Sequence, residues 1–304
     1  MMPPGYSQAP LQRLRLPWLE AAGVEAAVLR LDLIHPLVSG NKLFKLLPWL
    51  THAQATGAPG LISLGGPWSN HLHALAALGA REGLATVGLL RGEARQTATV
   101  ADLHAMGMRL HWLGYGGYRA RHDPGFWAPW LERYPGYLGI PEGGACQRGA
   151  QGCTALHELV RARLGALGWE DYDAWWLAAG TGTTAAGLAK AEGSRRPVHA
   201  ALAVRPGQGA ERNVMALLGA EAVTWHDASR GGFGKVDAEL MTFLSATEAL
   251  SQLVLEPLYT AKALFALRTA VSTRLFPEGS RVVFVHTGGL QGRRGFPALF
   301  LNPL

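Results

Sequence analysis

The chain has 304 residues, of which 48% are hydrophobic and 16% charged, a balance typical of a globular protein with a large buried core. No apolar run reaches the roughly 18–20 residues of a membrane-spanning helix, and the first residues lack the basic and apolar regions of a secretory signal. The net charge of +6 is spread over the chain in short pairs, so the composition gives no support for a nucleic-acid partner.

The cysteines and the basic residues limit the compartment and the chemistry that we expect of this protein. The two cysteines, Cys146 and Cys153, fit neither a metal-binding pair nor a disulfide framework, so we expect a cytoplasmic protein without a metal site. Of the 28 basic residues only five are lysines. A lysine retained in such a chain is a candidate for chemistry that needs an amine, which arginine cannot supply because it stays protonated.

Short apolar strands alternate with longer helical patterns along the chain. Strands are predicted at 26–34, 61–64, 86–90, 109–113, 175–179, 198–204 and 281–286. Helices are predicted at 41–55, 69–82, 97–106, 151–167, 183–191, 210–218, 237–250 and 260–275. The stretch 114–121, rich in glycine, tyrosine and arginine, is predicted to be a loop. The alternation indicates βαβ units and an α/β protein with a largely parallel sheet.

Three glycine-rich loops follow predicted strands, at 65–70, 180–184 and 287–289. In open parallel sheets, ligands bind beyond the carboxyl ends of the strands, and glycine lets the backbone approach a ligand closely. The three loops together predict one shared polar ligand site, although each alone is compatible with an ordinary tight turn.

The loop from Gly180 to Thr184 precedes a predicted helix whose first N–H groups and hydroxyls suit a phosphate. One candidate ligand is the phosphate of pyridoxal phosphate (PLP). The other is a dinucleotide, because Gly180, Gly182 and Ala185 satisfy the G-x-G-x-x-A fingerprint, and Arg205 would favour NADP over NAD. A strand–helix turn in which a threonine caps the helix is a third interpretation, and the loop alone leaves all three open.

Ser69, Asn70 and His71 open another predicted helix, just past a Gly-Gly turn. The free N–H groups and partial positive charge of a helix start suit a carboxylate or phenolate oxygen. Capping of the helix by Ser69 or Asn70 is the plainer interpretation, and it is compatible with anion binding.

Lys42 lies in the first turn of a predicted helix, where its charge meets the positive end of the helix dipole. That placement would lower the pKa of its amine, as condensation with a carbonyl requires. Lys45 lies one turn later and is expected to be an ordinary solvated lysine. Lys42 is therefore the candidate reactive amine.

Five segments, taken in order, resemble a known family. They are Ser-Gly-Asn-Lys at 39–42, Gly-Gly-x-x-Ser-Asn-His at 65–71, Gly-Thr-Gly-Thr-Thr at 180–184, Glu-Pro-Leu-Tyr-Thr-Ala-Lys at 256–262 and His-Thr-Gly-Gly-Leu at 286–290. Together they resemble the 1-aminocyclopropane-1-carboxylate (ACC) deaminase and D-cysteine desulfhydrase family, fold-type-II PLP enzymes related to the tryptophan synthase β subunit. The resemblance explains all five segments, whereas the NADP interpretation explains one.

The resemblance implies a two-lobed α/β fold in which each lobe is a mostly parallel twisted sheet flanked by helices. Residues 46–140 would form a small domain, and residues 1–45 with 141–304 would form the large PLP-binding domain. The site would lie in the cleft between them. The resemblance also implies a homodimer acting on a small amino acid, with no nucleic-acid or membrane partner.

The resemblance assigns roles toward the cofactor. Lys42 would form the Schiff base with PLP and later move the Cα proton of the substrate. Asn70 would bind the phenolate oxygen, Thr260 would meet the pyridine nitrogen, and Tyr259 would face the substrate or the cofactor ring. The phosphate would be bound by Gly180, Thr181, Gly182, Thr183 and Thr184.

Other residues are assigned to the substrate. Ser69 and the helix start at Asn70 and His71 would hold its carboxylate, with Ser69 also counted among the catalytic residues. Trp68 is included as a residue that shapes the substrate pocket, although ordinary packing explains it equally well.

Two positions bear on the reaction. Thr260 stands where the ACC deaminases carry a glutamate, and a neutral hydroxyl stabilises a pyridinium less well than a carboxylate does. A weaker electron sink suits β-elimination, in which the leaving group takes up the electrons, better than it suits ring opening. Phe233 stands where the family usually carries a tyrosine, which removes an acid–base hydroxyl.

The sequence therefore predicts α,β-elimination on a small amino acid, with D-cysteine converted to pyruvate, ammonia and sulfide. Within PLP chemistry, ACC deaminase and a serine-type dehydratase remain alternatives. An NADP-dependent oxidoreductase and a catalytically inactive PLP-binding protein are the alternatives of other classes, the second being suggested by Phe233 alone.

Overall fold

The structure is a computed structural model that describes residues 8–38 and 40–297. Ser39, the first residue of the Ser-Gly-Asn-Lys segment, lies outside the described residues. In the part of the chain that is described, no helix is both long enough and apolar enough to cross a membrane.

Ten strands form two sheets within the described residues. They are β1 Leu11–Leu14, β2 Glu25–Arg30, β3 Gly60–Gly65, β4 Ala85–Leu90, β5 Arg109–Trp112, β6 Leu138–Ile140, β7 Ala174–Ala179, β8 Val198–Leu202, β9 Thr224–Asp227 and β10 Arg281–His286. The larger sheet has the order β1-β2-β10-β7-β8-β9 and the smaller the order β5-β4-β3-β6. All pairs are parallel except β1 with β2, which confirms the predicted parallel α/β architecture.

The strands of the smaller sheet all lie between residues 46 and 140, the segment expected to form the small domain. Helices connect the strands of both sheets. They are α1 Pro17–Ala21, α2 Asn41–Thr56, α3 Asn70–Glu82, α4 Ala98–Ala105, α5 Gly114–Arg119, α6 Ala128–Arg133, α7 Gln147–Cys153, α8 Ala155–Arg161, α9 Thr183–Glu192, α10 Ala210–Leu218, α11 Ala238–Ser251 and α12 Thr260–Ser272.

The larger sheet is buried on both faces. β7 lies in its interior, and all six residues of β7 are buried. Because successive side chains of a strand point to opposite faces, Trp175 packs into the core on one face and Trp176 into the core on the other. Burial on both faces explains why this segment is an uninterrupted apolar run rather than an alternating one.

Two predictions about local structure are wrong. The stretch 114–121 is not a loop: α5 and a short 3₁₀ turn occupy it, because Tyr118 turns inward and is buried. The single helix predicted at 151–167 begins earlier, as α7, and breaks at Thr154 before α8. α7 is held against α2 at Gly152, where a Cβ would lie only 1.9 Å from the carbonyl oxygen of Phe44.

The sequence patterns also missed three strands, β1, β6 and β9. Each is three or four residues long and lies at the edge of its sheet. An edge strand is paired on one side only and needs no continuous apolar run, so its pattern is weak.

The carboxyl ends of four parallel strands point to one cavity. β3 leads to Gly66, β4 to Arg91, β7 to Gly180 and β10 to Thr287, and all four of these residues line the cavity. The three glycine-rich loops therefore meet at one site, as the sequence predicted.

Candidate active site

The cavity has a volume of about 370 Å³ and is lined by residues from both sheets. That volume lies within the range of ordinary small-ligand pockets, which is roughly 300–1,000 Å³. Among the predicted site residues, ten line it: Lys42, Trp68, Ser69, Asn70, His71, Gly180, Thr181, Gly182, Thr184 and Tyr259. Thr183 and Thr260 are fully buried and are not among the lining residues.

The start of α2 is fixed to the opposite side of the cavity. Asn41 donates from Nδ2 to the hydroxyl of Thr184, 2.8 Å away. Gly40 has a φ of +74°, and a Cβ there would lie 2.2 Å from the carbonyl oxygen of Thr287. These contacts hold the first turn of α2, and Lys42 with it, at the cavity wall.

Lys42 and Lys45 present two amines to the cavity. Lys45 Nζ donates to the carbonyl oxygen of Gly143 at 3.2 Å, and the charge of Lys45 acts on Lys42. Burial, and secondarily the charge of Lys45, hold the pKa of Lys42 well below its usual range. A neutral amine at neutral pH is the form that condenses with a carbonyl.

The expectation that Lys45 is solvated is wrong, since its side chain is only 2% exposed. Residues three apart lie on the same face of a helix, so Lys45 follows Lys42 into the cavity. Burial lowers the pKa of Lys45 as well, and no carboxylate among the described residues pairs with it. A buried cation without a counter-ion indicates an anionic ligand.

The loop after β7 has the shape expected of an anion cradle. Gly182 has a φ of +75° and precedes α9, and a Cβ there would meet Val214 at 2.7 Å. The hydroxyls of Thr181 and Thr183 are hydrogen-bonded at 2.9 Å, and Asn213 Nδ2 donates to the carbonyl oxygen of Thr181 at 2.6 Å. The fixed backbone presents the N–H groups of the start of α9 to the cavity.

Gly143 joins this loop to Lys45. A Cβ on Gly143 would lie 3.1 Å from Thr181 Cγ2, while its carbonyl oxygen accepts from Lys45. The buried cation and the helix start therefore lie on the same wall. Together with the Lys42 amine, whose pKa is lowered, these groups fit a ligand with both a phosphate and a carbonyl group.

The loop after β3 places Ser69 and Asn70. Ser69 is the N-cap of α3 and accepts from the N–H of Leu72 at 3.2 Å, so the capping interpretation is correct. Asn70 Oδ1 accepts from Gln291 Nε2 at 2.9 Å. Gly289 leaves room for the Asn70 amide, because a Cβ on Gly289 would lie only 2.6 Å from Asn70 Nδ2. Sequence reasoning missed Gln291, which no motif marks.

His71 is buried, and its tautomer follows from its neighbours. The Ser63 hydroxyl donates its one proton to the carbonyl oxygen of Ile140 at 2.8 Å, so it accepts from His71 Nε2 at 2.9 Å. His71 Nδ1 is therefore an acceptor, and it has no hydrogen-bond partner in the structure. Burial, with the charges of Lys42 and Lys45, holds the pKa of His71 well below its usual range. A carboxylate here would bind the backbone N–H groups rather than this imidazole.

Tyr259 forms the wall that faces Gly180. A Cβ on Gly180 would lie 3.2 Å from the tyrosine ring. Burial raises the pKa of the Tyr259 hydroxyl, which therefore keeps its proton. The ring of Phe233 lies next to it, with 5.8 Å between the two centroids. Phe233 reaches the cavity from the solvent side and is 53% exposed.

Glu256, rather than Thr260, lines the cavity at the start of α12. Its carboxyl accepts from the backbone N–H groups of Leu258, Tyr259 and Thr260 at 2.7–2.8 Å. The Thr260 hydroxyl is occupied by the N–H of Glu256 at 2.9 Å. Burial raises the pKa of the Glu256 carboxyl, partly offset by the three N–H groups. Glu256 lies three residues before Tyr259, the N-cap of α12, so no capping pattern in the sequence marks it.

The wall contributed by the smaller sheet carries a hydrogen-bonded cluster that the sequence did not predict. The Tyr118 hydroxyl donates to Glu142, and Arg121 Nε donates to the other oxygen of the same carboxylate at 2.8 Å. Tyr118 and Glu142 both line the cavity. The cluster was missed because 114–121 was predicted to be a loop.

Comparison with known families gives one match over almost the whole chain. The model of the family "Pyridoxal-phosphate dependent enzyme" matches residues 2–288. This match explains all three loops together and sets aside the dinucleotide interpretation of the loop after β7.

Solved structures share the fold. An ACC deaminase homologue is 24% identical, with a TM-score of 0.82 over 97% of this chain and 93% of its own. A hydrogen sulfide-producing enzyme from Fusobacterium nucleatum is 13% identical, with a TM-score of 0.65 over 94% and 96%. Threonine deaminase isoform 2 from Solanum lycopersicum is 13% identical, with a TM-score of 0.69 over 97% and 88%.

Proposed function

Because the chain belongs to the pyridoxal-phosphate-dependent enzymes, with PLP as its cofactor, we propose that it catalyses α,β-elimination on a small β-substituted amino acid, with D-cysteine as the best candidate. The observation that carries this proposal is the pair of amines at the cavity wall, one with a strongly lowered pKa and one buried beside the loop after β7. When bound, PLP supplies the electron sink that lets a proton leave Cα.

Residues of the larger sheet would hold the cofactor. Lys42 would bind its carbonyl carbon, and the loop from Gly180 to Thr184 would bind its phosphate, with Lys45 as the counter-ion. Thr183 would contribute through its hydrogen bond to Thr181 rather than by lining the cavity. Lys45 is thus an addition to the residues expected from the sequence.

Different residues would meet the phenolate oxygen and the pyridine nitrogen of the cofactor. Asn70, oriented by Gln291, would donate to the phenolate oxygen. The pyridine nitrogen would lie at the corner of Glu256 and Thr260. Of these two residues only Glu256 lines the cavity, because the Thr260 hydroxyl is buried in hydrogen bonds to the Glu256 backbone. Burial raises the pKa of the Glu256 carboxyl, and a carboxyl that is harder to ionise stabilises a pyridinium less well than an ordinary carboxylate.

The substrate would be bound and deprotonated by neighbouring groups. The N–H groups at the start of α3, near Ser69, would hold its carboxylate, with Trp68 at the edge of the pocket. The freed amine of Lys42 would take the proton from Cα as general base. Tyr259 keeps its proton and would donate a hydrogen bond to the departing sulfur. With one water consumed, D-cysteine would yield pyruvate, ammonia and hydrogen sulfide.

The names of two structural neighbours are in keeping with elimination or deamination, although at 13% identity they share the fold alone. The ACC deaminase homologue keeps ACC deamination as the second candidate, and a serine-type dehydratase is the third. Phe233, which has no hydroxyl beside Tyr259, is the observation against ACC deamination. We also propose a cytoplasmic homodimer whose small domain is residues 46–140.

A substrate panel tests the proposal. PLP-loaded protein is assayed with D-cysteine, L-cysteine, D-serine, β-chloro-D-alanine and ACC, and the oxoacid product is identified. We expect pyruvate and sulfide from D-cysteine at the highest kcat/KM. Formation of 2-oxobutyrate from ACC at a higher kcat/KM would replace our proposal with ACC deamination, and bound PLP without turnover of any substrate would indicate an inactive PLP-binding protein.

A further inference from the structure

The two carboxyls that line the cavity are both satisfied within the protein. Glu142 accepts from Tyr118 and Arg121, and Glu256 accepts from three backbone N–H groups. Neither carboxyl needs a cation from the cavity.

Three cationic side chains line the same cavity: Lys42, Lys45 and Arg91. None of them forms an ion pair with a carboxylate among residues 8–38 and 40–297. The proposed function assigns Lys42 to the cofactor carbonyl and Lys45 to its phosphate, and it leaves the guanidinium of Arg91 without a role.

Arg91 is placed between the substrate loop and the solvent. It directly follows β4, and its backbone N–H donates to the carbonyl oxygen of Gly65 at 3.0 Å, beside the loop that leads to Ser69. Its guanidinium lies over the rings of Tyr115 and Tyr118, 5.7 and 6.0 Å from their centroids. The Tyr118 hydroxyl donates to Glu142, so Tyr118 offers Arg91 only its aromatic ring. The ring orients the guanidinium without neutralising its charge.

The rim of the cavity is apolar around this cation. Leu37, Trp68 and Phe233 line the cavity and are 49%, 37% and 53% exposed, respectively. Exposed large apolar side chains that surround a cleft are typical of a surface that contacts a ligand. A carbon or sulfur chain would lie against such side chains, and its charged end would meet Arg91, which lines the same cavity.

We propose that Arg91 selects substrates whose β-substituent ends in a carboxylate or another anion. This inference rests on the proposed function and extends its substrate class from D-cysteine to longer β-substituted alanines that end in an anion. Arg91 then acts on the distal anion, while the start of α3 holds the α-carboxylate.

Paired ligands of equal size isolate the distal charge. Aspartate and asparagine, and glutamate and glutamine, are titrated as both enantiomers into PLP-loaded protein. Binding is measured by calorimetry and by the change in the visible absorbance of the cofactor, neither of which needs turnover. We expect the acid to bind about fivefold more tightly than its amide, a modest ratio because Arg91 is exposed.

Variants test whether Arg91 causes the preference for the acid over the amide. Arg91→Met should bring the ratio of acid to amide affinity close to one, and Arg91→Lys should retain part of it. Arg119→Met is the matched control, since Arg119 is exposed on α5 and is not among the cavity-lining residues. Raising the ionic strength should reduce the preference of the wild-type protein.

Three results would overturn the inference. In one, Arg91→Met keeps the wild-type ratio. In the second, it weakens acid and amide equally, which would place the α-carboxylate on Arg91. In the third, the wild-type protein binds both members of a pair equally while still binding amino acids, a result that leaves the proposed function standing. Absence of any amino-acid binding would instead remove the proposed function and the inference together.

Discussion

The two walls of the cavity differ in how deeply they are buried and in how their parts are held together. The wall of α2, β7 and α9 is buried, and direct hydrogen bonds join its parts, as between Asn41 and Thr184. The wall of β3, β4 and α5 carries exposed side chains at the rim, such as Trp68 and Arg91. The first wall suits a cofactor that stays in place, and the second suits substrates that enter and leave.

The largest effect should come from Lys42, on the buried wall. Lys42→Ala should lower kcat by roughly 10³-fold or more, since it removes both the cofactor link and the general base. The variant should also fail to form a borohydride-reducible bond to PLP, as mass spectrometry of the modified peptide would show. Lys190→Ala, on the exposed side of α9, is the control and should behave like the wild type. A reducible bond that persists in Lys42→Ala would assign the cofactor to another lysine.

Lys45 tests whether the buried wall is specific for phosphate. Lys45→Met should weaken PLP binding about 10- to 100-fold, the value of a charge-assisted hydrogen bond of roughly 1.5–3 kcal/mol. Pyridoxal, which lacks the phosphate, should bind the variant and the wild-type protein with similar affinity. Equal weakening of both ligands would show that Lys45 acts on something other than the phosphate.

The same variant should shift cofactor attachment to higher pH, because the charge that lowers the pKa of Lys42 is gone.

The sequence predicted the buried wall better than the exposed one, for a physical reason. Lys42 and the loop from Gly180 to Thr184 are marked by local patterns, since glycines and a helix start are adjacent in the chain. Glu142 and Tyr118 are brought together by folding from 24 residues apart, so no local pattern marks them. Lys45 was misjudged because its burial depends not only on its face of α2 but also on the packing of α7 and the Gly143 turn against that face.

The same limit applies to the fold. The interior strands were predicted because burial on both faces imposes a continuous apolar run on them. The strands β1, β6 and β9 and the helix α5 were missed because tertiary contacts stabilise them, as with Tyr118 against Glu142. Thr260 is a related case. The resemblance pointed to this residue, but only the structure shows that the backbone N–H of Glu256 already donates to its hydroxyl.

Part of the pH dependence of stability should come from a pair of histidines behind the buried wall. His199 Nδ1 and His226 Nε2 lie 3.0 Å apart, and the His199 ring stacks on Trp176. Burial lowers the pKa of both, that of His199 to about 4. The unfolded chain therefore binds more protons between that pH and about 6.5, the usual histidine pKa. Stability is fully present above about pH 6.5 and is lost as the pH falls toward 4.

Denaturant unfolding at pH 7 and pH 5 measures this effect, which should be on the order of 1–3 kcal/mol. His199→Phe keeps the ring packing but cannot titrate, so it should remove the part of the difference that His199 contributes, while other buried histidines such as His71 keep theirs. His104→Asn, at an exposed position, is the control and should leave the difference unchanged. An unchanged difference in His199→Phe would place the pH dependence elsewhere.

The smallest effect should come from the Tyr118 hydroxyl, on the exposed wall. Tyr118→Phe removes one hydrogen bond to Glu142, which keeps its bond to Arg121, so the free energy of unfolding should fall by only about 0.5–1.5 kcal/mol. The phenyl ring would still lie under Arg91, and the preference for acids over amides should survive. Tyr118→Leu removes the ring as well and should reduce that preference without abolishing it, because Tyr115 still orients the guanidinium. A loss of the preference in Tyr118→Phe would mean that Glu142, released from the hydroxyl, had become the partner of Arg91. The exposed wall would then depend on the same kind of fixed hydrogen bonds as the buried one.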